Sequence, residues 1–240
     1  MHRLDNYPKP LRFNVDGRVA LKYKKYLTAE EMTRLLSGKV VVEEKMDGKS
    51  SRFETQRFVL FAEDMQQGQR ISYRVPARFA LFDVFDKKRG MLLGVEGKRD
   101  VYWEIKNYPG FLKDCVSSEF NTNIDASSFF LVNVLEMGKF EPKDLPDLML
   151  YSAYGKETKT RLEGIVVKTI RDVFDFELRA GQLVLTEYIM GSAWDPKYFK
   201  EKGAENVIDP IIAEVNHPFV RMRGKPTLPN EIRGMDIPKN

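Results

Sequence analysis

A lysine followed two places on by aspartate and then glycine, Lys45-Met46-Asp47-Gly48, is the chemically richest stretch of this sequence. It follows an apolar run, Val40-Val41-Val42, and two acids, Glu43 and Glu44. Side chains two residues apart on a strand share a face, so Lys45 and Asp47 are expected together at the mouth of a buried strand. That pairs a nucleophilic amine with a carboxylate able to orient it. Gly48 permits a tight turn with the backbone close to a ligand, and Ser50, Ser51 and Arg52 open a second strand carrying a guanidinium. By itself this spacing also describes a solvated surface hairpin, so the rest of the chain has to decide.

Three further stretches carry chemistry. FVLFAED at 58–64 is an apolar strand that delivers Glu63 and Asp64 at its end, where carboxylates hold a ribose hydroxyl or a metal, or simply make a polar strand end before a loop. FALFDVFD at 79–86 sets Phe82 beside Asp83, an aromatic ring to stack on a base next to an acid that orients a neighbour, in a run whose other phenylalanines read as core. RLEGIVVK at 161–168 brings Glu163 into a strand that ends at Lys168, and Gly164 lets the backbone approach a ligand closely. Glu163 suits Mg²⁺ and Lys168 suits phosphate as a point charge, with a structural salt bridge as the alternative for either.

The elements that must position these groups are mostly strands. VVVEE at 40–44, SRFET at 51–55, RFVLFAE at 57–63, FALFDVF at 79–85, FFLVNVLE at 129–136, GIVVK at 164–168 and LVLTEYI at 183–189 have the β-branched and aromatic content of sheet. Thr28-Ala29-Glu30-Glu31 is a capping box opening a short helix through Leu36, with Gly38 placed to stop it. Further helices are expected around 109–120 and over 142–151. Short strands with few helices argue for an α+β domain built on antiparallel sheets. That domain is expected over 1–190, followed at 191–240 by a strap or small subdomain punctuated by Pro196, Pro210, Pro218, Pro226, Pro229 and Pro238.

Composition bounds the function. At 240 residues and 27.9 kDa, with 42% hydrophobic and 31% charged residues, the chain can bury a sizeable core and does not read as disordered. No apolar stretch approaches the roughly 20 residues of a membrane-spanning helix. One cysteine, Cys115, allows no intrachain disulfide, and two histidines, His2 and His217, give no Cys/His zinc cluster. An intracellular, cytoplasmic setting without a membrane is the default expectation. A net charge of +4 and a pI near 8.9 fit a polyanionic partner, with Lys22, Lys24, Lys25, Arg70, Arg74, Lys87, Lys88 and Arg89 as candidate phosphate contacts.

Taken in order, Lys45 to Gly48, Glu63, Phe82-Asp83 and Glu163 to Lys168 resemble the motifs of the covalent nucleotidyltransferase superfamily of polynucleotide ligases and mRNA capping enzymes. The resemblance covers residues 40 to 189 and is strongest to the nick-sealing RNA ligases. In the DNA ligases and capping enzymes an arginine stands five places after the lysine, where this chain has Ser50; Arg52, seven places on, matches the RNA-ligase version.

The resemblance implies a nucleotidyltransferase fold, an ATP-grasp-like adenylation domain of two packed, mainly antiparallel sheets with flanking helices. It implies an ATP-dependent RNA ligase that needs Mg²⁺, or Mn²⁺ in its place. Lys45 would attack the α-phosphate of ATP, expel pyrophosphate and form a lysyl-AMP; AMP would then pass to a 5′-phosphate on RNA, and a 3′-OH would displace it. Asp47 would orient Lys45 or a metal-bound water, and Glu163 would bind the metal with it. Arg52 and Glu63 would hold the phosphate region and the ribose. Phe82 and Val166 would sandwich the adenine, Glu44 would read its amino edge, and Lys168 would contact phosphate.

One part departs from the pattern. Ligases carry a further lysine pair about twenty residues after the E-G motif, but ELRAGQLVLTEY at 177–188 has Gln182 where a lysine is expected and apolar Val184 two places later. Arg179, from a shifted register, or Lys168 is expected to supply the missing charge. A DNA ligase or capping enzyme would need a C-terminal OB-fold, for which 191–240 is too short, and NAD⁺ as donor would need an N-terminal module for which 1–39 leaves little room. From another class, the alternative is a catalytically reduced fold that binds RNA ends or nucleotide.

Overall fold

The computed structural model describes residues 2–4, 6–15, 26–66, 71–117, 124–149, 151–156, 160, 162–184, 206–212 and 214. It is a mixed α/β architecture built on two mainly antiparallel sheets with few helices. The first sheet has five strands in the order β1 (Leu11–Arg12), β12 (Ala180–Val184), β10 (Gly164–Thr169), β2 (Val40–Lys45) and β9 (Val134–Gly138). Only the β1 and β12 pair in it is parallel. The second runs β11 (Val173–Phe174), β7 (Met91–Leu92), β6 (Phe79–Asp86), β4 (Phe58–Asp64) and β3 (Lys49–Glu54), with β8 (Phe129–Leu131) pairing parallel to β6. A small parallel pair joins β5 (Arg74–Val75) to β13 (Val207–Ile208).

Period-two alternation explains the layering. On the first sheet Val40, Val42, Ile165, Val167 and Leu183 face one way, into a core closed by Leu35 and Leu36 of α1 (Ala29–Leu36) and by Leu145. On the second, Phe53, Phe58, Leu60, Phe79 and Leu81 face Val101, Tyr102 and Ile105 of α2 (Val95–Asn107). The remaining faces carry Glu43, Lys45, Val166 and Lys168 from the first sheet and Phe61, Glu63 and Asp83 from the second. These two faces oppose each other, with Lys168 meeting Asp83 across them, and enclose the candidate site.

Helix α1 begins on the expected box: the Glu31 N–H donates to Thr28 Oγ1 at 3.1 Å and the Thr28 N–H to Glu31 Oε2 at 2.8 Å. The expected helix over 109–120 is not found in its described part. Residues 109–114 form turns, and Val116 bridges to Glu54. The helix lies one segment earlier, as α2. Its buried positions Val95, Lys98, Val101, Tyr102 and Ile105 are helically spaced, but a lysine in that stripe and two glycines nearby weaken the pattern. Tyr108 leaves it in an extended conformation because it precedes Pro109. Over 142–151 the structure has a 3₁₀ segment, Pro142–Leu148, whose internal Pro146 has no N–H to give an α-helix.

FFLVNVLE is two strands in two sheets rather than one: β8 extends the second sheet and β9 the first, with the chain crossing at Val132-Asn133. The expected strand at 183–189 is found as β12, ending at Val184, and 185–189 lie outside the described residues. Most of 191–240 lies outside them too. Its described part docks on the body: Asn206 donates to the Met65 carbonyl, and Asp209 accepts from Arg74 at 2.5 Å. Among the described residues no helix is long and apolar enough to cross a membrane.

Gly164 was expected to admit a ligand, but it is the neighbouring strand that comes close. A Cβ at 164 would stand 2.3 Å from the Leu183 carbonyl oxygen and 2.9 Å from the Val184 Cα. Gly164→Ala is therefore expected to force β10 from β12 and cost roughly 2 to 3 kcal/mol, the upper part of the overpacking range. Urea unfolding checks this, and an unchanged midpoint would refute it.

Candidate active site

Lys45 ends β2 and pairs across the sheet with Gly164, the first residue of β10. Directly paired residues share a face, and Glu163, one residue earlier, brings its carboxylate round to the lysine: Lys45 Nζ donates to Glu163 Oε2 at 2.5 Å. The glutamate side chain is 6% exposed and the lysine 25%, so the amine is the part of the pair that solvent or a substrate can reach. Asp47 is buried on the turn after β2, where its N–H donates to the Tyr73 hydroxyl at 3.2 Å. That turn is tight because the following hairpin closes on it: a Cβ at Gly48 would lie 2.8 Å from the Asp64 carbonyl oxygen.

Glu63 reaches the same place from β4. Burial pushes its carboxyl up to about 8, Glu163 and Asp47 push the same way, and Lys45 opposes them. Three carboxylates thus crowd one ammonium, and a proton fills the deficit. Arg52 stands opposite Phe61 on β3, on the face that carries Glu63, and holds Glu54 at 2.7 Å. Its Nε is buried without a hydrogen bond. Among the described residues no three acid, His or Cys side chains are arranged to hold a metal alone. Asp47 and Glu163 fit the pattern in which Mg²⁺ takes one or two carboxylates and completes its shell with phosphate and water.

The aromatic wall depends on a β-bulge. Phe61 pairs with Asp83 and Ala62 with Leu81, so Phe82 is the extra residue on β6. Strict alternation would send either Phe82 or Asp83 to the α2 side; the bulge lets both enter the cleft. It also frees the Phe82 carbonyl, which accepts from Lys168 at 2.8 Å and Lys98 at 3.1 Å. The Phe82 ring packs edge-on against Tyr7 at 5.0 Å and near-parallel to Phe61 at 6.5 Å. Val166, partly exposed, faces the cleft two residues before Lys168.

Behind this wall lies a buried ionic cluster. Lys168 Nζ binds Glu43 at 2.7 Å and Asp83 at 3.3 Å, Lys98 also binds Glu43, and Arg179 binds Asp83 and donates to the Leu93 carbonyl at 2.8 Å. The Tyr7 hydroxyl donates to Asp83 at 2.5 Å. Burial would raise the carboxyls of Glu43 and Asp83, but the cations hold both below the usual carboxylate range. Burial pulls the Lys98 ammonium down, and Lys168 adds to that against Glu43.

Lys168 and Arg179, expected at phosphate, are in this structure held by Glu43 and Asp83. Gln182 is buried and gives its amide to the Pro10 carbonyl at 2.8 Å. Beside it on β1, in register, stands Arg12, a cation that the sequence pattern did not single out. Lys98 was missed as well. The lysine at a buried helical position was its one visible signal.

Alternation places Glu44 on the face opposite Lys45, against Ala153, Ser152 and Asn133. Its Oε2 accepts from the Ala153 N–H at 3.3 Å, and its Oε1 is buried without a hydrogen bond of normal geometry. Burial pushes this carboxyl up to about 7, against the lowering contacts from Ser152, Ala153 and Asn133. Between about pH 4.5 and 7 the folded chain therefore keeps a proton that the unfolded chain has lost, and stability falls as pH rises through this window. The full loss is on the order of 3 kcal/mol. Glu44→Gln is expected to flatten that slope in urea unfolding at pH 5 and pH 8; an unaltered slope would refute the assignment.

Of the candidate nucleic-acid contacts, Lys22, Lys24, Lys25 and Arg70 lie outside the described residues. Lys87 is buried rather than on the surface, held by Glu54 at 3.0 Å and the Thr55 carbonyl. Arg74 pairs with Asp209 at 2.5 Å and Arg89 with Asp172 at 2.6 Å, while Lys88 is exposed.

No protein-family profile matches the chain, and no curated protein does. Among solved structures it is similar to Naegleria gruberi RNA ligase. A mutant with ATP and Mn is 14% identical, over 77% of this chain and 63% of that one, with a TM-score of 0.44. A mutant with AMP and Mn is 13% identical over 76% and 63%, also at 0.44. An apo mutant of RNA ligase R4a is 14% identical over 68% and 54%, at 0.43. The chain spans about half the length of the first of these structures it matches. These likenesses are too distant to assign chemistry to the chain, which rests on its own residues.

Proposed function

We propose that this chain is an ATP-dependent RNA ligase of the covalent nucleotidyltransferase type, with Lys45 as the AMP acceptor. The observation that carries this reading is Lys45 Nζ at 2.5 Å from Glu163 Oε2, at the open end of a cleft that Asp47 and Glu63 also enter. Lys45 Nζ, oriented by Glu163, gives its proton to solvent, and the free amine attacks the α-phosphorus of ATP. A P–N bond forms, the bond from phosphorus to the pyrophosphate oxygen breaks, and pyrophosphate leaves. Phe82 and Val166 flank the base, Glu63 holds the ribose, and Arg52 lies toward the phosphates. A divalent cation at Asp47 and Glu163 would neutralise phosphate charge, and the crowding of carboxylates round Lys45 fits that need. AMP then passes to a 5′-phosphate of RNA, and attack by a 3′-OH seals the strand and releases AMP.

A second reading has its own support. Gln182 replaces a lysine, while Lys168 and Arg179 are held by Glu43 and Asp83. The protein is then a nucleotide- or RNA-end-binding module. Incubation with α-labelled ATP and Mg²⁺, followed by a denaturing gel, separates the two. An acid-labile label on the protein supports the ligase, and RNA binding without any adduct from ATP or GTP supports the module.

A further inference from the structure

At the far end of the first sheet from Lys45, three segments meet round a groove of about 700 Å³. Arg34 comes from the last turn of α1, Lys39 from the residue before β2, and Arg171, Phe176, Glu177 and Leu178 from the turns on either side of β11. Phe176 is 83% exposed and Phe174 43% exposed, and their rings lie parallel, 5.5 Å apart with 3° between planes. Two large apolar rings standing in water side by side are costly unless something covers them. The charge round them is unbalanced: Arg34, Lys39 and Arg171 face one lining carboxylate, Glu177. That carboxylate is already engaged, accepting from Arg171 at 2.9 Å and from the Phe174 N–H at 2.9 Å. Asp175, between the rings in sequence, does not line the groove.

We infer that this groove binds single-stranded nucleic acid, with a base stacked on Phe176 and phosphates against Arg34, Lys39 and Arg171. Exposed aromatic faces bordered by cations match a ligand that alternates flat π-surfaces with negative charges. A duplex hides its base faces and cannot use the rings. A peptide would use the apolar groove but not the three cations, unless it were acidic. The site lies roughly 20 Å from Lys45, the length of the six-residue strand β2, so it does not depend on the nucleotidyl-transfer reading.

The test is fluorescence anisotropy of a labelled, unstructured oligo-uridine with the full chain. Phe176→Ala is expected to weaken binding about 5- to 150-fold, the worth of one stacked base, and Phe176→Trp to restore it. With Phe176 so exposed, neither change threatens the fold. Arg34→Ala with Lys39→Ala is expected to lower the slope of log affinity against log salt by about 1.4, or ~0.7 per phosphate contact. Unchanged binding by Phe176→Ala overturns the inference, and so does equal competition by an RNA duplex of the same length. Lys45→Arg should leave this binding intact, and Phe176→Ala should leave labelling by ATP intact. Loss of the adduct alone therefore counts against the ligase and not against the groove.

Discussion

Lys45→Arg is expected to abolish covalent labelling by α-labelled ATP while the protein stays folded. Arginine keeps a positive charge beside Glu163, which is 5% exposed and would otherwise be left as an unpaired buried carboxylate. A guanidinium, however, holds its proton throughout the accessible pH range and is no nucleophile. Lys45→Ala should remove the label as completely, at some cost in stability from the orphaned Glu163. The pair of variants separates chemistry from folding: both lose the adduct, and only the alanine variant lowers the urea midpoint. Label persisting in Lys45→Arg would place the nucleophile elsewhere and remove the basis for every role assigned round it.

The second large effect concerns the buried cluster behind Phe82. It holds three cations, Lys98, Lys168 and Arg179, and two anions, Glu43 and Asp83, so it carries one positive charge more than it balances. Asp83→Ala leaves the buried Arg179 without its carboxylate, leaves Glu43 alone against Lys98 and Lys168, and removes the acceptor of the Tyr7 hydroxyl. Breaking such a group by deleting one partner costs about 3 to 5 kcal/mol, a large part of the roughly 5 to 15 kcal/mol that a domain has. Lys98→Met has the opposite charge logic. It leaves two cations with two anions, keeps the aliphatic stem, and removes the ammonium that burial and Lys168 already pull down. It is expected to cost less than about 1.5 kcal/mol. Thermal or urea unfolding of both variants checks the contrast. A cheap Asp83→Ala, or a Lys98→Met as costly as it, would show that charge balance does not govern the cluster.

This cluster bears on Lys168. Its ammonium is 2.7 Å from Glu43 and 2.8 Å from the Phe82 carbonyl, so any variant at 168 disturbs the inner wall of the cleft as well as its charge. Activity lost in such a variant has to be read beside its stability.

Much of the candidate site was legible along the chain because its residues lie at or next to strand ends, where alternation and a following turn fix the direction of a side chain within a few positions. Lys45 and Glu63 were read that way and stand at the ends of β2 and β4, whereas Asp47 lies on the turn after β2 and Glu163 one residue before β10; the fold brings all four together. Phe82 and Asp83 were legible as types, but strict alternation forbids both from facing one cleft, and the bulge that permits it depends on β4 lying beside β6. The bulge leaves no mark in the sequence of β6 alone. Lys98 and Arg12 were not legible because each acts across a distance in sequence that no local period spans: Lys98 meets Glu43, and Arg12 reaches Gln182 only through the pairing of β1 with β12.

The sequence by itself determined β2, β3, β4, β6 and β10, the capped helix α1 and the order of the chemical groups, since backbone preference, side-chain alternation and turn residues act over a few neighbours. Only the tertiary structure decided which cations stay available to a ligand. Lys168 and Arg179 read as phosphate-binding charges in the sequence; in the structure the pairing of β10 with β2 sets Glu43 beside Lys168, and the packing of one sheet on the other sets Asp83 against Arg179 and Lys168. A buried charge takes the partner that desolvation demands, and that partner is set by which strands lie side by side in a sheet and which lie face to face across the cleft.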